Sequence, residues 1–472
     1  MRISRFASRP LHAGIGLLWL LACSNEDQLS GPEGMRAVAG EVEQLLTPDQ
    51  VWAYVARTQV PGFAGYYLVQ GSENVVLNLV SGSDVERAKA FVRSELQKVK
   101  VIPTGISIKS VPYGWNQLQS WKDAAVHLLN RGDLISMDID ERIPRIIIGA
   151  RDQQAIAAIT PELRDIGIPD DALTVMVVPR IQKRDSLSQA FVDTAITGGM
   201  LINVYYPKPG CGPNCAYINY GTFGLHANGF ADQFGSVATF LTASHVTPYE
   251  AQVDTATFFQ PAKILWYQLF NTALGPDFSD PPLIMNCTSI GYPGLTRCRW
   301  ADVAAVRWPS QSAATRAMGT VARTQWVGLN GVDGSKVVDA NSPKWDIIGN
   351  SGTAPVGYWV NKVGMQSGWT RGYVLRSCVD FYDADLPKNL ICQNEAYLRS
   401  RPGDSGSPVF SDENNSQYPS GYGTKITAHG IAWGGPDDIP YADDYTYYSP
   451  MASINMHFGF SVQVCKPSLA SC

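Results

Sequence analysis

The chain is predicted to join a cysteine-free α/β segment to an all-β domain stapled by disulfides. Cysteine distribution is the first observation behind this: residues 24–210 hold none, whereas eight of the nine cysteines lie at or after residue 211. Periodicity is the second. Helix-like and strand-like patterns alternate up to about residue 185, and beyond about 200 short runs of Val, Ile, Tyr, Phe and Trp are broken by Gly, Pro, Asn and Asp. The third is length, since 472 residues exceed what one hydrophobic core usually organises.

Residues 1–23 read as an export signal. Arg2, Arg5 and Arg9 precede an apolar run from Leu11 to Ala22 that is too short to span a bilayer. The run ends Leu20-Leu21-Ala22-Cys23, which resembles the lipobox of bacterial lipoproteins and makes Cys23 a lipidation candidate. Residues 24–45 are polar and are expected to form a tether. An even number of cysteines in an exported chain reads as a disulfide framework. Pairing of sequence neighbours gives Cys211 with Cys215, Cys287 with Cys298, Cys378 with Cys392, and Cys465 with Cys472. A zinc site is not supported, because no cysteine pair is joined by a second pair and histidines at ligand spacing, and no metal is expected.

Within 46–185, strands are expected at 65–69 and 74–80, followed by a helix at 85–99 capped by Ser83. A strand at 145–149, a helix at 152–165 and a strand at 173–178 then make a βαβ-like unit. Residues 186–199 are polar and glycine-ended, and read as an exposed processing linker. Residues 200–472 form the β domain. Hydrophobic residues are 45% and charged residues 17%, with 43 Gly, 30 Pro and 21 Tyr, a loop-rich balance that suits a secreted β protein. The net charge of −5 gives no support for a nucleic-acid partner.

Chemistry concentrates at three places in this domain. Gly403-Asp404-Ser405-Gly406-Ser407-Pro408 suits a tight turn that exposes a hydroxyl beside backbone N–H groups, making Ser405 a nucleophile candidate. Phe240-Leu241-Thr242-Ala243-Ser244-His245 is a strand that ends in an imidazole, with His226 as the runner-up base. Asp302, within Ala301-Asp302-Val303-Ala304-Ala305-Val306, is a carboxylate in apolar sequence and so an orienting acid for His245.

Leu-Thr-Ala-Ser-His, Asp-Val-Ala-Ala-Val and Gly-Asp-Ser-Gly-Ser-Pro, in that order, resemble the three catalytic blocks of chymotrypsin-like serine proteases. The bacterial secreted streptogrisin and α-lytic branch is the closer likeness, through Ile196-Thr197-Gly198-Gly199, Gly368-Trp369-Thr370-Arg371-Gly372-Tyr373 and Gly430-Ile431-Ala432-Trp433-Gly434-Gly435. The resemblance implies two packed six-stranded antiparallel β-barrels preceded by an α/β prosegment that assists folding and inhibits until cleaved. It implies a zymogen acting on protein or peptide substrates, with His245, Asp302 and Ser405 as triad and the N–H groups of Gly403 and Ser405 as oxyanion hole. Trp433, Gly434 and Gly435 would bind substrate, the mature enzyme would be a monomer, and no cofactor is needed. The chain would be secreted or periplasmic, touching a membrane only through a lipid on Cys23.

Departures from that pattern are informative. Val246 stands where many relatives have a cysteine, and Ser407 stands for the commoner glycine, a form that glutamate-specific relatives show. Ala432 and Trp433 offer no polar group for an acidic substrate, while Arg399 and Arg401 are positive groups close to Ser405 in sequence. The rival readings are a catalytically silent protease-fold binding protein and a lipid-anchored surface adhesin, the latter on account of Tyr445, Tyr447 and Tyr448.

Overall fold

An aromatic cluster anchors the N-terminal part of the fold. Thr47 and Gln50 cap each other at the start of helix α1 (Pro48–Thr58), whose Trp52 packs against Trp115 with ring centroids 4.6 Å apart. The computed structural model describes residues 47–465, apart from 70–71, 99–100, 179–180, 184–194, 208–215, 234, 255, 261–271, 309–314, 330, 385, 413–422 and 437–443. The signal, Cys23, the tether, Cys211, Cys215 and Cys472 therefore lie outside the described residues.

Strands β1 (Phe63–Leu68) and β2 (Asn74–Val80) form an antiparallel pair, and β3 (Gly105–Val111) runs parallel to β2. Helix α2 (Val85–Lys98) connects β2 to β3, and Asp84, rather than Ser83, takes the cap by accepting the Arg87 N–H. Ser83 instead donates to the Val80 carbonyl. Helix α3 (Trp115–Ala125) carries Trp115 and Lys122 into the interior. Strands β4 (Leu134–Ile139), β5 (Ile146–Ala150) and β6 (Leu173–Val177) follow, with α4 (Gln153–Asp165) crossing between the parallel pair β5 and β6. Asp152 caps α4 from outside its first turn.

Beyond these elements the chain is mainly β. A seven-stranded sheet runs in the order 216–222, 201–207, 257–260, 272–279, β9 (Ala304–Arg307), β8 (Thr239–Thr242), 226–227. A fifteen-stranded sheet contains β10 (Trp359–Gly364), β11 (Gly368–Asp383), β12 (Lys388–Tyr397), β13 (Pro408–Asp412), β14 (Lys425–Pro436) and β15 (Tyr445–Pro450). It is this large because β4, β5 and β6 add to the edge of β11, and because β7 (Ile181–Lys183) pairs with β14. A short helix, α5 (Met451–Phe458), closes the domain where the sequence pattern showed no helix.

One expectation about exposure is corrected, and the tyrosines behind the adhesin reading pack as such residues in β loops more often do. The linker's C-terminal end is not exposed: Ala195–Gly198 is a strand parallel to residues 315–322, with Ile196 and Thr197 buried. Tyr447 and Tyr448 are buried, so they do not form an adhesive surface. Cys287–Cys298 and Cys378–Cys392 are disulfides, and Cys465 is also disulfide-bonded.

The N-terminal elements meet the β11–β12 hairpin through buried charge as well as through strand pairing. Lys122 Nζ lies 2.9 Å from Asp49 and 3.3 Å from Asp380, all three side chains being buried. Removing one member of such a group leaves uncompensated carboxylates in the interior. Lys122→Met is expected to destabilise the full chain by about 3–5 kcal/mol, read as a lower urea midpoint than that of wild type.

Candidate active site

Register decides which side chains meet. Strands β8 and β9 are antiparallel with Thr242 opposite Ala304. His245, just past the end of β8, is thereby set beside Asp302, just before the start of β9. Every residue of β8 is buried, so the register is held by packing. Ser405 comes from the other sheet, in the turn that leads into β13.

The three side chains form one hydrogen-bonded chain. His245 Nδ1 lies 2.6 Å from Asp302 Oδ2, and His245 Nε2 lies 2.8 Å from Ser405 Oγ. Asp302 Oδ1 accepts the backbone N–H of His245 at 3.1 Å. Asp302 is fully buried and His245 and Ser405 nearly so. A buried carboxylate at Nδ1 keeps the proton there, which leaves the Nε2 lone pair facing the serine hydroxyl. Ser449 Oγ accepts the N–H of Asp302 and donates to Gln393, and Gln393 Oε1 also accepts from Trp433 Nε1.

The turn that carries Ser405 is built around Asp404. Its carboxylate accepts from Lys362 Nζ at 2.8 Å, from Ser367 Oγ at 2.6 Å, and from the backbone N–H groups of Gln366, Ser367 and Arg401. Burial pushes the Asp404 carboxyl upward, but Lys362 and these hydrogen bonds outweigh it and hold the group below the usual aspartate range. Gly403 and Gly406 adopt φ of +98° and +94°. A Cβ on Gly406 would also lie 2.2 Å from the Thr222 carbonyl oxygen, so the turn requires glycine there.

Other residues singled out in the sequence take different places. His226 lies against Phe223 and Trp308, with Nε2 3.3 Å from the Ile196 carbonyl, and does not join the Ser405 chain. Ser407 is fully buried and donates to the Asp404 carbonyl, so its hydroxyl is engaged within the turn. The Trp433 side chain is likewise buried; its carbonyl lies 3.3 Å from Ser405 Oγ. Arg399 and Arg401 both pair with Asp333, and Arg399 also pairs with Asp444.

Two features escaped the sequence reading. Lys362 was one, although a lysine inside the apolar strand Trp359–Gly364 is itself a signal of a buried partner. The other is β7, whose residues Ile181, Gln182 and Lys183 pair antiparallel with Pro436, Gly435 and Gly434 on the strand that carries the Trp433 carbonyl.

No protein-family model and no curated protein matches the chain. It is similar to several solved structures. Protease A of Thermobifida fusca is 18% identical with a TM-score of 0.32, covering 58% of this chain and 99% of its own. A chymotrypsin of Cellulomonas bogoriensis is 17% identical at 0.32, over 57% and 98%. The Nocardiopsis protease is 15% identical at 0.32, over 58% and 100%.

Two outcomes are expected. Lys362→Met leaves Asp404 buried without its cation and should cost about 3–5 kcal/mol. Because the depressed carboxyl gives wild type stability above the unfolded-state value near 4 that is lost as pH falls, the deficit of this variant should be largest near neutral pH and should shrink in urea unfolding series run below about pH 4. Asp277 works in the opposite sense: burial, then Asp280, push it up to about 8. Stability is then lost as pH rises from about 4 towards 8, so Asp277→Asn should raise the thermal midpoint at pH 8 by a margin that shrinks on acidification.

Proposed function

We propose that the chain is an exported serine endopeptidase made as a zymogen. The observation that carries this reading is the continuous chain Asp302–His245–Ser405 across two sheets, with distances of 2.6 Å and 2.8 Å. Ser405 Oγ attacks the scissile carbonyl as His245 Nε2 takes its proton, and Asp302 holds the tautomer and stabilises the imidazolium. The backbone N–H groups of Gly403 and Ser405 receive the oxyanion, a donor typically contributing about 3–4 kcal/mol to the transition state. His245 then protonates the leaving amine, and water, activated by the same imidazole, hydrolyses the acyl-enzyme.

The position of β7 supports the zymogen part. An extended segment paired antiparallel with Gly434, Gly435 and Pro436 has the main-chain geometry of a bound peptide, the way an added strand is recognised. It belongs to the segment preceding the β domain, so residues 46–185 are read as a prosegment that covers the cleft. Residues 186–199 are read as the processing region, and 200–472 as the protease domain. With a lipid on Cys23, processing there would release the protease from its anchor.

A fluorophosphonate probe should label wild type and leave Ser405→Ala unlabelled. N-terminal sequencing of secreted wild type should give a start between about residues 185 and 200, the interval a processing linker occupies. Labelling that persists in Ser405→Ala would refute the nucleophile, and secreted material that still begins at Cys23 would refute the zymogen.

A further inference from the structure

Beside the His245–Asp302 pair lies a buried cluster of charge that the reaction does not consume. Arg299 and Asp280 are both nearly inaccessible to solvent and form an ion pair. Arg299 Nη1 donates to Ser244 Oγ at 2.7 Å, and Nη2 donates to the Val303 carbonyl at 3.3 Å. Ser244 Oγ in turn donates to Asp280 Oδ2 at 2.7 Å, and that oxygen also accepts the Ala251 N–H at 3.1 Å. His457 of α5 lies 3.1 Å from Nη2, and Glu250 lies 3.8 Å from Nη1.

Two of the partners of this guanidinium, Ser244 and Val303, occupy specific places in the chain. Ser244 immediately precedes His245, and Val303 immediately follows Asp302. The β8–β9 ladder ends at Thr242 opposite Ala304, so both members of the pair stand beyond the last strand register. Past that point the main chains are joined by a long contact from the Ser244 N–H to the Asp302 carbonyl at 3.4 Å, and by the His245 N–H to the Asp302 carboxylate. A guanidinium is planar, with its donors in a fixed fork, so two of them set the separation of two acceptors more firmly than a flexible ammonium could.

We propose that Arg299 is a positioning residue for the reaction, a rigid spacer that fixes the distance between the backbones carrying His245 and Asp302. Burying this cation and its carboxylate gives little net stability compared with an apolar pair of the same volume, so the geometry it imposes is what distinguishes it from packing. The inference rests on the protease reading, in which a small displacement of the imidazole is costly to the rate.

The test uses Arg299→Lys, which keeps the charge but not the fork, and Ser244→Ala, which keeps the Arg299–Asp280 pair but removes one anchor. Each variant is made in the full chain, matured, and compared with wild type by its fluorophosphonate reaction rate and by kcat and KM on a peptide substrate. The low-field proton resonance of His245 Nδ1 is recorded in the same samples. The rate and kcat should fall roughly ten- to hundredfold, as a displacement near 1 Å does. KM should stay within about a factor of two, and the resonance should move upfield or vanish. A folded Ser244→Ala or Arg299→Lys protein with wild-type kcat and an unmoved resonance overturns the proposal. Wild type that fails to react with the probe overturns the protease reading instead, while the resonance still decides the role of Arg299.

Discussion

Burying an ionised carboxylate costs least when its oxygens are occupied, and Asp302 is the place where this requirement organises the molecule. One oxygen takes the main-chain N–H of His245 and the other its imidazole, so the acid fixes both the backbone and the ring of the same residue. That double attachment is possible because the β8–β9 register brings the two strand ends level. Asp302 and the residue after it are held in turn, the Asp302 N–H by Ser449 Oγ and the Val303 carbonyl by Arg299. Hydrogen bonds then radiate to Gln393, Trp433, Ser244 and Asp280.

How much of this was legible in the sequence depends on the range of each interaction. The turn that carries Ser405 could be read because glycine is demanded by a left-handed φ at Gly403 and Gly406, which is a property of single residues. The strand before His245 and the apolar setting of Asp302 were equally local. Lys362 and Asp404 are distant in sequence, and their pairing is created by the fold alone. Asp302 stands out as an acid in apolar sequence within the β domain, yet Asp404 and Asp280 are buried there as well, out of loop-like or mixed sequence. Burial of a carboxylate follows from tertiary partners that no window of neighbours contains. Ser407, read from its residue type as a hint of acidic specificity, has its hydroxyl engaged within the turn it belongs to.

The N-terminal elements were legible as alternating helices and strands, but their relation to the β domain was not. Three residues in β7 are too few to show a period. The joint between β4 and β11 consists of Met137 opposite Asp380 and Ser136 opposite Phe381. Around it, Glu141 accepts from Ser377, and Lys122 reaches Asp380 and the Cys378 carbonyl. Polar and charged contacts of this kind fix the register, while a shared apolar core that includes Leu129, Met137, Cys378 and Ile391 joins the two parts.

That joint has a consequence for β11 itself. Were the N-terminal elements to depart after cleavage, the Asp380–Phe381 stretch would become the rim of a sheet, with main-chain groups ready to pair with another molecule. Asp380 would lose Lys122 at the same moment and meet water, where it ionises freely. A strand edge that acquires a bare negative charge as it is uncovered repels a second copy of itself, so one aspartate anchors the joint while it is closed and guards against self-association once it is open.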